Sequence, residues 1–150
     1  FQMAPGGSFD GFVVRFSGFN TTSNLPVLRS LTNAASNAAG VVSPGMIFVG
    51  YGELLGPSTL TGAALDSGRL ATNRAGVIIR FDGTPSPLVY VAAGQVSGVV
   101  PYNVAGKSTV QVTVEYQGQV SAPLTVRVAD AVPGLFSANS SGAGPAAALN

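Results

Sequence analysis

The chain contains neither cysteine nor histidine, and charged residues make up only 9% of its 150 positions. Without cysteine, disulfides and thiolate metal sites are excluded. Without histidine as well, so are the usual zinc and copper sites, the Cys-His pair, the Ser-His-Asp triad and the two-histidine, one-carboxylate iron site. An enzyme made from this sequence would have to work through Asp, Glu, Ser, Lys or Tyr, and no cofactor or metal is expected. The seven basic residues, Arg15, Arg29, Arg69, Arg74, Arg80, Lys107 and Arg127, are scattered, and the net charge is +1. Nucleic acid is therefore a poor partner, because phosphate binding relies on clustered cations. No apolar run approaches the roughly 18 residues that a membrane-crossing helix needs. A leader pattern is missing at the start, and both ends, FQM and PAAALN, read as cuts through a longer polypeptide.

What the chain has instead is apolar bulk: 46% hydrophobic residues and a mean hydropathy of +0.40. Its length suits one domain, which buries roughly 70% of the surface exposed when unfolded. About 25% charge is usual for such a domain. A surface this poor in charge is either kept wet by neutral Gly, Ser and Thr, or covered by other protein in an array or polymer.

Residues 108–129, STVQVTVEYQGQVSAPLTVRVA, carry the clearest pattern. Val110, Val112, Val114 and Tyr116 alternate with Thr109, Gln111, Thr113 and Glu115. After the turn pair Gln117-Gly118, Leu124, Val126 and Val128 alternate with Thr125 and Arg127. Period-2 alternation on both arms predicts a hairpin with one buried face, hence an antiparallel sheet packed on a second layer. Further strands are expected at 12–16, 25–31, 46–51, 77–81, 88–91 and 96–100, with Asp82-Gly83 as a strong turn. Residues 53–75 read as a long loop with a short helix near 62–65, and such loops are where ligand sites tend to lie.

The expected fold is all-β: an immunoglobulin-like sandwich of about seven or eight strands with extended N- and C-terminal arms. Its units are an arm strand at 1–22, the sandwich at 23–130 and a Gly/Ala/Ser/Pro-rich arm at 131–150. TNAAS at 32–36, VSPG at 42–45, Leu55-Gly56-Pro57, FDGTPSPLVYVAAGQVSGVVPY and SAPLTVRVADAVPGLF, in that order, resemble the Solibacter-type C-terminal domain. More distantly, the pattern is similar to IPT/TIG immunoglobulin-like domains. The opening FQMAPGGSFDGFVVRFS resembles the phrase that closes a bacterial β-propeller repeat, with Gly11 and Arg15 in place of the usual Ala and Lys. The resemblance implies an extracellular or cell-surface, non-catalytic module, and it transfers no catalytic residue.

Several motifs fail on inspection. Gly106-Lys107-Ser108 ends like a phosphate loop, but Pro101 stands at the first glycine and a strand follows where a helix must. Glu53 and Asp66 lie on either side of much of the long loop, and spacing does not exclude the convergence that paired-carboxylate chemistry needs. Asn20-Thr21-Thr22 and Asn139-Ser140-Ser141 fit the glycosylation pattern. The function expected is structural: assembly with copies of itself or neighbouring domains, through strand addition by an arm, with Phe9, Phe12, Val14, Phe16, Leu135 and Phe136 as contacts. The alternative is a carbohydrate-binding or adhesive module using Glu53, Asp66, Tyr102 and the aromatics Phe81, Tyr90 and Tyr116 against glycans.

Overall fold

A computed structural model of the chain describes residues 24–139, 141, 142 and 144–147. The strand expected at 12–16, the propeller-like phrase and the triplet at Asn20 lie outside the described residues. The strands are β1 (Val27–Asn33), β2 (Val41–Val42), β3 (Ile47–Glu53), β4 (Thr61–Gly62), β5 (Leu65–Asp66), β6 (Arg69–Leu70), β7 (Val77–Phe81), β8 (Thr84–Pro85), β9 (Leu88–Val91), β10 (Gln95–Val99), β11 (Thr109–Tyr116), β12 (Gln119–Val120) and β13 (Leu124–Val128). One antiparallel sheet has the order β1-β3-β10-β9-β4, and the other the order β2-β13-β11-β7-β8, with β12 extending the turn of β11. The fold is an immunoglobulin-like β-sandwich, as the alternation implies. The chain leaves the first sheet after Asn33 and enters the second at Val41, where β2 lies parallel to β13.

Each sheet turns one apolar face inward. Val77, Ile79 and Phe81 of β7, with Val110, Val112 and Val114 of β11, line one wall. Leu28, Leu31, Phe48, Leu88, Val91 and Val96 line the other. Phe48 and Phe81 meet edge to face across the gap, ring centroids 5.3 Å apart at 64°. This is the favoured geometry of an aromatic pair and joins the two sheets at the centre.

The hairpin turns where expected: Gln117 (φ 51) and Gly118 (φ 76) are both left-handed, as a tight hairpin turn requires. Its second arm is broken, however. Ser121 sends its N–H to the Val114 carbonyl (2.8 Å) and accepts the Val114 N–H on its hydroxyl (3.0 Å). Two bonds to one residue interrupt the ladder, and pairing resumes one residue out of step at Val112 and Leu124.

The helix expected near 62–65 is absent. That segment holds β4, which edges the first sheet, and a separate β5-β6 hairpin turned by Ser67 (φ 51) and Gly68 (φ 79). A residue pair that settles in the left-handed region closes a hairpin and stops a helix.

Candidate functional site

The sandwich has two ends, and each exposes apolar side chains. At one end Asn33, only 4% exposed, ties the C-terminal segment down. Its Oδ1 accepts the N–H groups of Ala35 (2.8 Å) and Ser36 (3.2 Å), and its Nδ2 donates to the Val132 carbonyl (2.9 Å). Gly134 lies so close to Asn33 that a Cβ there would stand 2.7 Å from Oδ1. The chain then doubles back through a Ser137–Ala146 bridge. The described residues after Val132 therefore lie against their own domain, with Leu135 (76% exposed) and Phe136 (56%) turned outward and Phe136 beside Ile47 (43%). Phe136, Val132, Met46 and Ile47 border a hollow of about 200 Å³.

The opposite end exposes Leu25, Val27, Leu54 and Val120. A wider hollow of about 420 Å³ opens here between Asn24, Leu54, Tyr116, Gln117 and Gln119. From this end runs β1, which closes the first sheet and pairs with β3 on one side. Asn33 and Gly40 bond back across its upper half, Asn33 N–H to Ala38 O (2.8 Å) and Gly40 N–H to Leu31 O (3.2 Å). Its lower half, residues 27–30, has no strand partner on the outer side among the described residues. A bulge between Leu28 and Ser30 sets Arg29 outward, where it donates to Glu53 (2.7 Å).

A family model, the IPT/TIG domain, matches residues 42–128, from β2 to the end of β13. The chain belongs to the IPT/TIG domain family. Among curated proteins, none matches the chain. IPT/TIG domains are immunoglobulin-like structural and interaction modules, generally non-catalytic and typical of extracellular proteins. No helix among the described residues is long and apolar enough to cross a membrane.

The residues expected for a ligand are dispersed over this IPT/TIG domain. Glu53 is ion-paired to Arg29 at the end of β3, whereas Asp66 sits in the separate β5-β6 hairpin and accepts from the Ser67 hydroxyl (3.2 Å). Among the described residues the two carboxylates share no partner. Tyr102, 77% exposed, lies over the turn glycine Gly45. Phe81 is fully buried in the core, so it is not available to stack on a ligand, and Tyr90 and Tyr116 stand on different sheets. A different aromatic pair comes together on the outer face of the first sheet. Tyr51 is the cross-strand neighbour of Gln95, and the Tyr90 hydroxyl donates to Gln95 Oε1 (3.2 Å). Burial pushes the Tyr90 phenol up, and Tyr51 adds to the shift. Tyr51 escapes notice in the sequence because it ends the continuous apolar run MIFVGY, where no alternation marks the outward positions.

The Gly106-Lys107-Ser108 segment also has its explanation. Lys107 donates to Asp82 Oδ2 (2.7 Å), and the Gln111 backbone N–H donates to Oδ1 (2.8 Å), so the motif pins the 82–83 turn to the start of β11. The Lys107 hydrogen bond, then that of Gln111, holds the Asp82 carboxyl below its ordinary range. A lowered folded-state pKa adds stability above the unfolded value of about 3.9, and that stability is lost as pH falls through the folded value. Asp82→Asn is therefore expected to lower stability at pH 7 by no more than about 1 kcal/mol, the scale of exposed pairs. The difference from the parent should shrink in melts taken at progressively lower pH, below the unfolded value of about 3.9. A difference that persists undiminished there would separate the effect from ionisation.

Proposed function

We propose that this IPT/TIG domain, of the Solibacter type, is a structural module of a bacterial extracellular or cell-surface protein. It joins copies of itself into an array or filament, with a terminal arm adding as a strand to a neighbour. The observation that carries this reading is the exposure of Ile47, Leu135 and Phe136 at one end and Leu25, Val27 and Leu54 at the other. In a chain with 9% charge, apolar groups at opposite ends favour a head-to-tail contact, and such a contact generates a filament when its rotation does not close. Phe9, Phe12, Val14 and Phe16 supply the arm, and Leu135 and Phe136 the end contact.

Deleting residues 1–17 tests it. Sedimentation and electron microscopy of the full chain should show multimers or fibres, and the shortened chain should be monomeric while still melting cooperatively. A full chain that stays monomeric at high concentration would sink the reading, and unchanged fibres after the deletion would remove the N-terminal arm from it.

A second reading rests on Tyr51, Gln95 and Tyr90. Two tyrosines flanking an amide on the outer face of the first sheet suit a glycan, with ring faces for the sugar and polar groups for its hydroxyls. Glycan-array binding that is lost in Tyr51→Ala would favour it over assembly.

A further inference from the structure

We infer that residues 12–16 of one copy pair with the free outer edge of β1, residues 27–30, in the next copy; this rests on the assembly reading above. The edges of the sandwich are unequal. β2, β4 and β8 are each two residues long, too short to template a partner, and edges blunted in this way resist pairing. β1 has seven residues, and among the described residues only its upper half is capped, through Ala38 and Gly40. What remains open is about the length of the FVVRF segment at 12–16, whose Phe12, Val14 and Phe16 fall on one side of a period-2 pattern.

The edge is selective rather than sticky. The bulge at Arg29 and its ion pair with Glu53 interrupt a flat ladder, which disfavours indiscriminate strand partners and limits pairing to a short stretch.

The path of the chain favours a donor from another copy. Asn24 borders the hollow with Leu54, Tyr116 and Gln117, so residues 24–26 enter β1 past the end of the sandwich, on the side where β11 of the second sheet ends. Pro26 holds Leu25 extended rather than letting the chain reverse. Residues 14 and 28 are 14 positions apart, and an extended chain spans at most about 3.3–3.6 Å per residue. That reach of roughly 45–50 Å exceeds the roughly 27 Å of the eight-residue β11, enough to carry the donor past one sandwich to the next.

The absence of cysteine makes crosslinking a clean test. Arg29→Cys is mixed with Val13→Cys, Val14→Cys or Arg15→Cys in the otherwise intact chain and oxidised gently. Neighbouring strands lie about 4.8 Å apart, within disulfide range. The expected result is a disulfide-linked dimer in at least one mixture that neither variant forms alone. If Arg29→Cys combined with the same donor cysteine in a single chain gives only an internal disulfide in a monomer, the donor is the chain's own arm and the inference falls. If no mixture crosslinks while the unoxidised full chain still sediments as multimers, β1 is not the acceptor and the assembly reading survives. If the full chain is monomeric throughout, the assembly reading fails and this inference with it.

Discussion

Phe81→Ala is expected to destabilise the domain by about 3–5 kcal/mol, the usual cost of emptying a buried phenylalanine site, and to lower Tm by roughly 10–15 °C. Phe81 is fully buried and meets Phe48 across the sheets at 5.3 Å. Both walls of the resulting cavity belong to paired strands, β7 held by β11 and β3 held by β1 and β10. Neither can collapse inward without breaking ladder hydrogen bonds, so the cavity term stays large. Denaturant unfolding measures the loss, and Phe81→Leu should recover most of it. A Phe48→Ala, Phe81→Ala cycle should show a coupling of about 0.5–1.5 kcal/mol from the ring pair. A loss under about 1 kcal/mol for Phe81→Ala would mean that the two sheets are not joined here.

Gly52→Ala should act through the backbone and on one strand. A Cβ at Gly52 would overlap the Val27 carbonyl oxygen and stand 3.2 Å from the Leu28 Cα. No side-chain rotamer relieves a collision with backbone, so β1 has to move away from β3. The expected cost is about 2–3 kcal/mol, in the range of overpacked sites. Amide exchange should accelerate in Val27–Asn33 and stay slow in β11. Because β1 is the inferred acceptor, multimers should also be lost at temperatures where the sandwich remains folded. Gly62→Ala is the control: nothing lies within 4 Å of its Cβ, so it should change stability by no more than about 0.5 kcal/mol. Equal behaviour of the two variants would contradict the close approach of β1 and β3.

The wet-and-dry alternation of residues 108–129 was readable because one face of β11 meets solvent. Val110, Val112 and Val114 are buried, and Gln111 and Thr125 bond to one another on the surface (3.0 Å). The same signal vanishes in β3, where neighbours on opposite faces, Phe48 and Val49, are both buried. A run buried on both sides has no period to read, and the outward Tyr51 was hidden in it. Residues 53–75 offered too few apolar positions to show a period, so their short strands were missed and a helix expected instead. Small residues carry no pattern, so nothing in the sequence of the arm from residue 131 onward shows where it is anchored. Its anchor is Asn33, which reaches a carbonyl 99 positions away.

The sequence alone determined the all-β class, the strands with one solvated face, the turns at Asp82-Gly83 and Gln117-Gly118, and the exclusion of histidine and thiolate chemistry. These follow from local pattern and from residue types that are simply absent. Only the tertiary structure decided that Glu53 pairs with Arg29 rather than meeting Asp66, that Phe81 is core, that Leu135 and Phe136 face outward at one end, and that among the described residues no strand borders residues 27–30 on the outer side of β1. Each of those depends on which distant segments share an edge or an end, and that choice is made by the burial of whole faces at once, not by any residue's neighbours in the chain.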